Sequence, residues 1–143
     1  MKSIALRFSE NFSPECGTID AHNQVIEKLG YVWYGKMGSK ISQPVAEALL
    51  AYENPKILLI RSGKIERYWA YIDKISFDTP DIRGIPSYYR DKAKDFGCWF
   101  RVKRFERAPR DVLGRCYVQS SKKPLAEASK YSMSPYFIIE TND

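Results

Sequence analysis

Residues 56–77, KILLIRSGKIERYWAYIDKISF, hold the clearest structural signal in the chain. Ile57, Leu58, Leu59 and Ile60 are apolar at consecutive positions, so both faces of an extended segment there demand cover. That pattern marks a central strand. Ser62-Gly63-Lys64 turns the chain straight into residues 65–77, where β-branched and aromatic side chains dominate. Two such segments joined by so short a turn predict an antiparallel hairpin. The second arm is long enough to bend, as barrel strands often do.

Upstream, residues 3–8 read as a strand in which Ile4, Leu6 and Phe8 alternate with Ser3, Ala5 and Arg7. Residues 11–17 form a loop. A helix over 19–29 follows, with Thr18 as its cap, Asp20 in its first turn and Gly30 as its stop. Residues 31–35 are aromatic and β-branched, hence a strand, and Lys36 to Lys40 make a basic glycine loop. A second helix starts at Ser42 with Pro44 in its first turn, turns Val45, Ala48, Leu49 and Tyr52 to the core, and ends at Asn54-Pro55.

Downstream come a polar loop over 78–86, a short helix over 87–95 and a strand over 98–107. A turn or short helix at 109–113, a strand at 114–118, a polar basic loop at 120–124 and a helical turn at 125–130 lead to a last strand at 136–140. The total is about six or seven strands and two or three helices, and both longer helices precede the hairpin rather than alternating with strands. A doubly wound parallel sheet is therefore not the expected fold. The expected fold is α+β: a bent mixed sheet closing toward a barrel, flanked by two to three helices. No repeat or linker interrupts the chain, so residues 1–143 are expected to form one domain.

The 143 residues are 44% hydrophobic and 28% charged, a globular composition. They carry a formal net charge of +6 and 14% aromatic residues. Basic and aromatic-rich together is the feature that needs a reason. His22 is the only histidine, which excludes sites that need two. Cys16, Cys98 and Cys116 are odd in number and lack CxxC spacing, so neither a disulfide scaffold nor a zinc site fits. No apolar run approaches the ~20 residues of a membrane span, and the start carries no signal-peptide pattern. A cytoplasmic protein without metal, cofactor or membrane is expected.

Strand 98–107 is the most informative chemically. With period 2, Cys98, Phe100, Val102 and Arg104 share one face and point inward. Trp99, Arg101, Lys103, Phe105 and Arg107 share the other. A face that interleaves rings with cations stacks bases and neutralises phosphates. It equally suits a solvated face in which Arg and Lys stems cover the rings.

Residues 30–38 place Tyr31, Trp33 and Tyr34 before glycines that admit a ligand to the backbone, with Lys36 and Lys40 alongside. The same stretch also reads as a core strand and an ordinary turn, and it lacks phosphate-loop spacing. Trp69 and Tyr71 share a strand face, and Trp69 serves either as core or as a ring lining the sheet. Ser120, Ser121, Lys122 and Lys123 suit a phosphate or a solvated loop. Ser132 and Ser134, before the last strand, are a weaker form of the same signal. His22 is expected exposed or half-buried with a structural role. No paired carboxylates or activated nucleophile stand out, so no enzyme is expected.

The order of elements resembles the PUA-like superfamily, in particular its EVE and YTH-type members, which are bent β-barrels with helices at the ends. The residues that carry the likeness are the aromatic strand 31–35, the strand 67–71 and Cys98-Trp99-Phe100-Arg101-Val102-Lys103. Residues 3–18 depart from the usual EVE opening. The resemblance implies recognition of a modified or flipped nucleobase in an aromatic pocket with a basic rim. A base taken out of a stack needs a ring platform, a polar edge and phosphate contacts. In those terms Trp33, Tyr34, Trp69 and Trp99 supply stacking. Lys36, Lys40, Arg101 and Lys103 supply phosphate contacts, with Ser120 and Ser121 as further phosphate ligands.

The expected function is therefore non-enzymatic binding of DNA or RNA. One alternative is a binder of a small nucleotide-like ligand. The other is a protein-interaction or inhibitor module acting on a nucleic-acid enzyme, with exposed rings as hot spots for a protein partner.

Overall fold

The computed structural model describes residues 1–8, 15–36, 40–61, 66–132 and 134–142. Its strands are β1 (Lys2–Arg7), β2 (Val32–Gly35), β3 (Lys56–Ile60), β4 (Arg67–Ser76), β5 (Trp99–Arg107), β6 (Cys116–Val118) and β7 (Tyr136–Thr141). The α-helices are α1 (Thr18–Leu29), α2 (Gln43–Leu50), α3 (Val112–Arg115) and α4 (Leu125–Tyr131). Two 3₁₀ segments, Ile82–Gly84 and Ser87–Asp95, lie between β4 and β5. The strands form a seven-stranded mixed sheet in the order β2-β5-β4-β3-β1-β7-β6.

The hairpin read from residues 56–77 sits at the middle of this sheet. Ile60 pairs with Arg67 and Lys56 with Tyr71 in an antiparallel ladder. The turn itself, residues 62–65, lies outside the described residues. Every residue of β3 is buried, as an all-apolar run between two covered faces requires. Among the described residues only β1 and β3 run parallel; the other pairings are antiparallel.

Two apolar layers hold the sheet. Ile4, Leu6, Ile57, Leu59, Phe100 and Val102 pack on one face beneath α1 and α2. Ala5, Leu58, Ile60, Trp69 and Ile139 pack on the other beneath α3 and α4. Each fully buried Leu or Ile contributes about 1.5–3 kcal/mol of transfer free energy, against about 0–1 kcal/mol for an exposed ion pair. Packing of these layers, not the surface charge, therefore fixes the fold. β1 was expected to alternate between core and solvent. It is buried on both faces instead, because β3 and β7 flank it and helices cover both sides.

The helices follow their signals with small shifts. Ser42 caps α2, its Oγ accepting from the Val45 amide at 3.3 Å. Gly30 stops α1 in a left-handed conformation, φ 83°, and donates to Ile26. Thr18 does not cap α1; Gly17 does, and Thr18 is buried in the first turn. α2 buries Ala46 and Leu49, whereas Ala48 and Tyr52 are exposed. The Tyr52 ring stays outside because its hydroxyl accepts from the Lys2 amide at 2.9 Å.

The sheet curls. Lys36, just past β2, holds its ammonium 4.6 Å from the Tyr136 ring of β7, although four strands separate β2 from β7 in the ladder. The expected tendency toward a barrel is present as this curvature, but no ladder joins the two ends among the described residues. The free edge of β2 is occupied by Tyr89 from the second 3₁₀ segment. The Tyr89 hydroxyl donates to the Trp33 carbonyl at 3.0 Å and accepts from the Gly35 amide. A side chain thus satisfies the backbone groups that a closing strand would need.

Candidate functional site

β5 was expected to keep a strict two-residue period, and it does not. The β4–β5 ladder pairs Tyr71 with Arg104, then Ile72 with Val102, then Lys74 with Arg101. Lys103 is therefore one residue extra on β5, and Asp73 one extra on β4. The first extra residue reverses the parity of everything beyond it. Phe105 turns to the first core and meets His22 edge-on at 6.1 Å between centroids. Arg104, expected inside, goes to the outer face, its guanidinium 3.8 Å from the Tyr71 ring centroid. Both faces assigned from periodicity are corrected at this point.

The outcome is two cross-strand rows on the outer face. One holds Trp33, Arg101 and Lys74 in register. The other holds Lys56, Tyr71 and Arg104 in register. Cations and rings alternate across strands rather than along one. The Arg101 guanidinium lies 5.2 Å from the Tyr31 ring, and the Lys56 ammonium 4.2 Å from Trp69. Lys74, Lys103 and Arg104 are exposed, and Arg101 is half-buried. The rows occupy the strip between the 3₁₀ segments that cover Trp99 and the helices α3 and α4 that cover Trp69.

Asp73 stands at the centre of this strip. It takes a bidentate grip from Arg101, at 2.8 and 3.0 Å. That hydrogen bonding holds its carboxyl below the ordinary carboxylate range. Lys103 and Lys74 add to the lowering, while partial burial opposes it. One carboxylate thus faces three cations, so the strip keeps a surplus of positive charge. The same pairing lifts Arg101 further above its ordinary value. Arg104 also reaches Glu106, at 3.1 Å.

The sequence-predicted residues separate into groups. Trp99 is wholly buried and packs with half-buried Trp33, stacking on Tyr89 at 6.2 Å. Trp69 is 2% exposed in a different cluster. The three tryptophans do not meet in one cleft. Tyr34 is buried against the His22 ring at 5.2 Å. Lys36 is buried, and burial pulls its pKa below the ordinary lysine value, with the adjacent Cys98 opposing. Lys40 is exposed, 5.8 Å from the Phe77 ring. Residues 37–39 of that loop lie outside the described residues. Arg101 and Lys103 stand on the outer strip, and Ser120 and Ser121 are exposed in the loop after β6.

His22 was expected at or near the surface. It is wholly buried, with Nδ1 2.7 Å from the Thr18 carbonyl and Nε2 2.9 Å from the Tyr89 hydroxyl. Among the described residues, no group of three or more His, Cys, Asp or Glu side chains is placed to hold a metal ion. No helix there is long and apolar enough to cross a membrane.

The sequence reading notes the rings of Tyr31 and Tyr71 without placing them in the site, and it leaves out Asp73, Lys74 and Arg104 as members of the strip. Tyr71 and Lys74 carried a usable signal, since both flank a paired strand rich in cations. Arg104 was hidden by a bulge that leaves no local mark in the sequence.

Comparison with known proteins sets this geometry in a family. No curated protein and no solved structure matches the chain. The Pua-like family matches residues 4–140, which takes in the whole sheet from β1 to β7 except the outermost residues. With nearly every described element inside that match, the chain belongs to the PUA-like family.

Proposed function

We propose that the protein is a binding module for single-stranded nucleic acid, with the β4–β5 outer strip as its interface. PUA-like domains are typically binding modules, often for RNA, which supports the class of activity. The observation that carries the reading is the pair of bulges at Asp73 and Lys103. They put Arg101, Lys103, Arg104 and Lys74 on one surface beside the rings of Tyr31 and Tyr71. Cations track phosphates without regard to sequence, and rings offer stacking to any base, worth about 1–3 kcal/mol each. Part of the charge excess and part of the aromatic excess of the composition then serve one surface.

Bases would stack at Tyr31, Tyr71 and the half-buried edge of Trp33, because Trp69 and Trp99 are enclosed. Reading of a modified or flipped base would need a pocket beyond this strip. A cytoplasmic setting belongs to the same proposal, supported by cysteine usage that fits no disulfide scaffold.

Fluorescence anisotropy on RNA and DNA strands of increasing length tests the reading. Affinity should rise with length, and Lys103→Glu should weaken it about tenfold, as loss and reversal of one phosphate contact imply. A mononucleotide bound as tightly as a long strand, and weakened equally by Lys103→Glu, would overturn the reading in favour of a small-ligand binder at the strip. So would a stoichiometric protein partner with no strand affinity, in favour of an interaction module.

A further inference from the structure

The loops at the two ends of α4 meet around a recess that the strip does not use. Its volume is about 350 Å³, within the range of small-molecule sites. One wall holds Ser120, Ser121 and Lys123; the other holds Tyr131, Ser132 and Ser134. Phe137 of β7 supplies an apolar floor. The two serine-containing segments are separate in sequence, and the fold brings them to one place.

Both walls are shaped by bonds of their own. Lys122 adopts a left-handed conformation, φ 61°, uncommon for a side chain of this kind. Its amide donates to the Val118 carbonyl at 2.8 Å, and the Val118 amide donates to Lys123 at 2.9 Å. The Lys123 amide also donates to Ser121 Oγ at 3.3 Å. Across the recess, Arg7 of β1 gathers the second wall. Its guanidinium donates to the carbonyls of Ser129 and Ser132 at 2.7 Å each and of Ser134 at 3.2 Å. The same guanidinium lies 5.6 Å from the Phe137 ring. Walls set in advance lower the ordering cost of a ligand.

The chemistry is divided across the recess. Ser120, Ser121 and the Lys123 ammonium are donors suited to anionic oxygens. Tyr131 presents a ring that is 76% exposed, with the Lys130 ammonium 5.5 Å from its centroid. Glu127 pairs with Lys123 at the long distance of 4.0 Å and offers carboxylate acceptors between these two ends. An anionic group, then hydroxyls, then an aromatic face describes a nucleotide.

We propose that this recess binds a nucleoside monophosphate. Its phosphate meets Ser120, Ser121 and Lys123, its sugar hydroxyls donate to Glu127, and its base lies on Tyr131. The source is either the free mononucleotide or the phosphorylated end of a strand. The site stands apart from the strip, so either can fail without the other.

Calorimetry with AMP, GMP, CMP and UMP, each against its nucleoside and against inorganic phosphate, tests the proposal. At least one monophosphate should bind saturably and better than both of its parts. The double variant Ser120→Ala/Ser121→Ala and, separately, Tyr131→Ala should each weaken it about tenfold, the size of one lost charge-assisted bond or stacking contact. These side chains are exposed, so folding, followed by circular dichroism, should be unchanged. Lys74→Gln/Lys103→Gln, which removes two of the strip's cations, should leave monophosphate binding intact. A strand bearing a 5′-phosphate that outcompetes its 5′-hydroxyl twin, only when Ser120 and Ser121 are present, identifies the strand end as the source. Equal binding of the twins identifies the free nucleotide. Failure of all four monophosphates to bind, or binding indifferent to the serine and tyrosine variants, overturns the proposal.

Discussion

Asp73 and Lys103 each exceed by one residue what the β4–β5 ladder needs, and the surface depends on that surplus. Asp73 sits among three cations, Arg101, Lys103 and Lys74, and on the proposed reading it competes with a phosphate oxygen for them. Asp73→Asn should therefore raise affinity for a single strand severalfold, since the cations lose their internal competitor. The same change should alter the acid limb of stability. The carboxyl is held below its ordinary value of 3.8 chiefly by the Arg101 hydrogen bond. Its stabilisation is thus present above that ordinary value and is lost as pH falls through the lower folded value. Urea midpoints between about pH 2 and pH 7 should show a shallower acid decline in Asp73→Asn than in the wild type. Gly84 makes a second residue-level case. A Cβ there would stand 2.8 Å from Trp33 Cδ1 and 3.2 Å from Tyr31 Cε2. Gly84→Ala should cost about 1–3 kcal/mol by overpacking, read as a lower urea midpoint, and should disturb Tyr31 beside Arg101.

At the scale of elements, the edge of β2 is the informative one. A free strand edge invites another strand, and the second 3₁₀ segment blocks it with a single hydroxyl. Burial pushes the Tyr89 phenol well above its ordinary pKa, so it stays a neutral donor and acceptor. Tyr89→Phe keeps the ring and its stacking on Trp99. It leaves the Trp33 carbonyl, the Gly35 amide and His22 short of a partner. The expected cost is about 1–3 kcal/mol in the urea midpoint, with faster amide exchange along β2. Elements with a strong local signal were legible in sequence: the all-apolar β3, the Ser42 cap of α2 and the Gly30 stop of α1. The two faces of β5 were legible only as far as Val102. Bulges obey the pairing of two distant strands, and nothing in either strand alone announces them. His22 shows the same limit, since its burial depends on Tyr89, far along the chain.

Across the whole molecule, the sheet curls until Lys36 reaches Tyr136, yet its edges stay apart because each end is finished differently. β2 is closed by Tyr89, and the three-residue β6 is too short to span a seam. Composition showed that positive charge and rings were in excess. Folding shows which belong together: Lys36 and Trp99 go inside, while Arg101, Lys103, Arg104 and Lys74 share the outer strip with Tyr31 and Tyr71. That separation was beyond sequence reading because strands adjacent in the sheet, β2, β5 and β4, lie far apart in the chain. On the proposed reading this strip holds phosphates. The most direct measurement is strand affinity across a salt series, for the wild type and for Lys74→Gln/Lys103→Gln. Log affinity should fall linearly with log salt in the wild type. In the variant it should fall less steeply by about 1.4, the sum of two lost single-strand phosphate contacts. No binding at low salt, or identical slopes for the two proteins, would contradict the account.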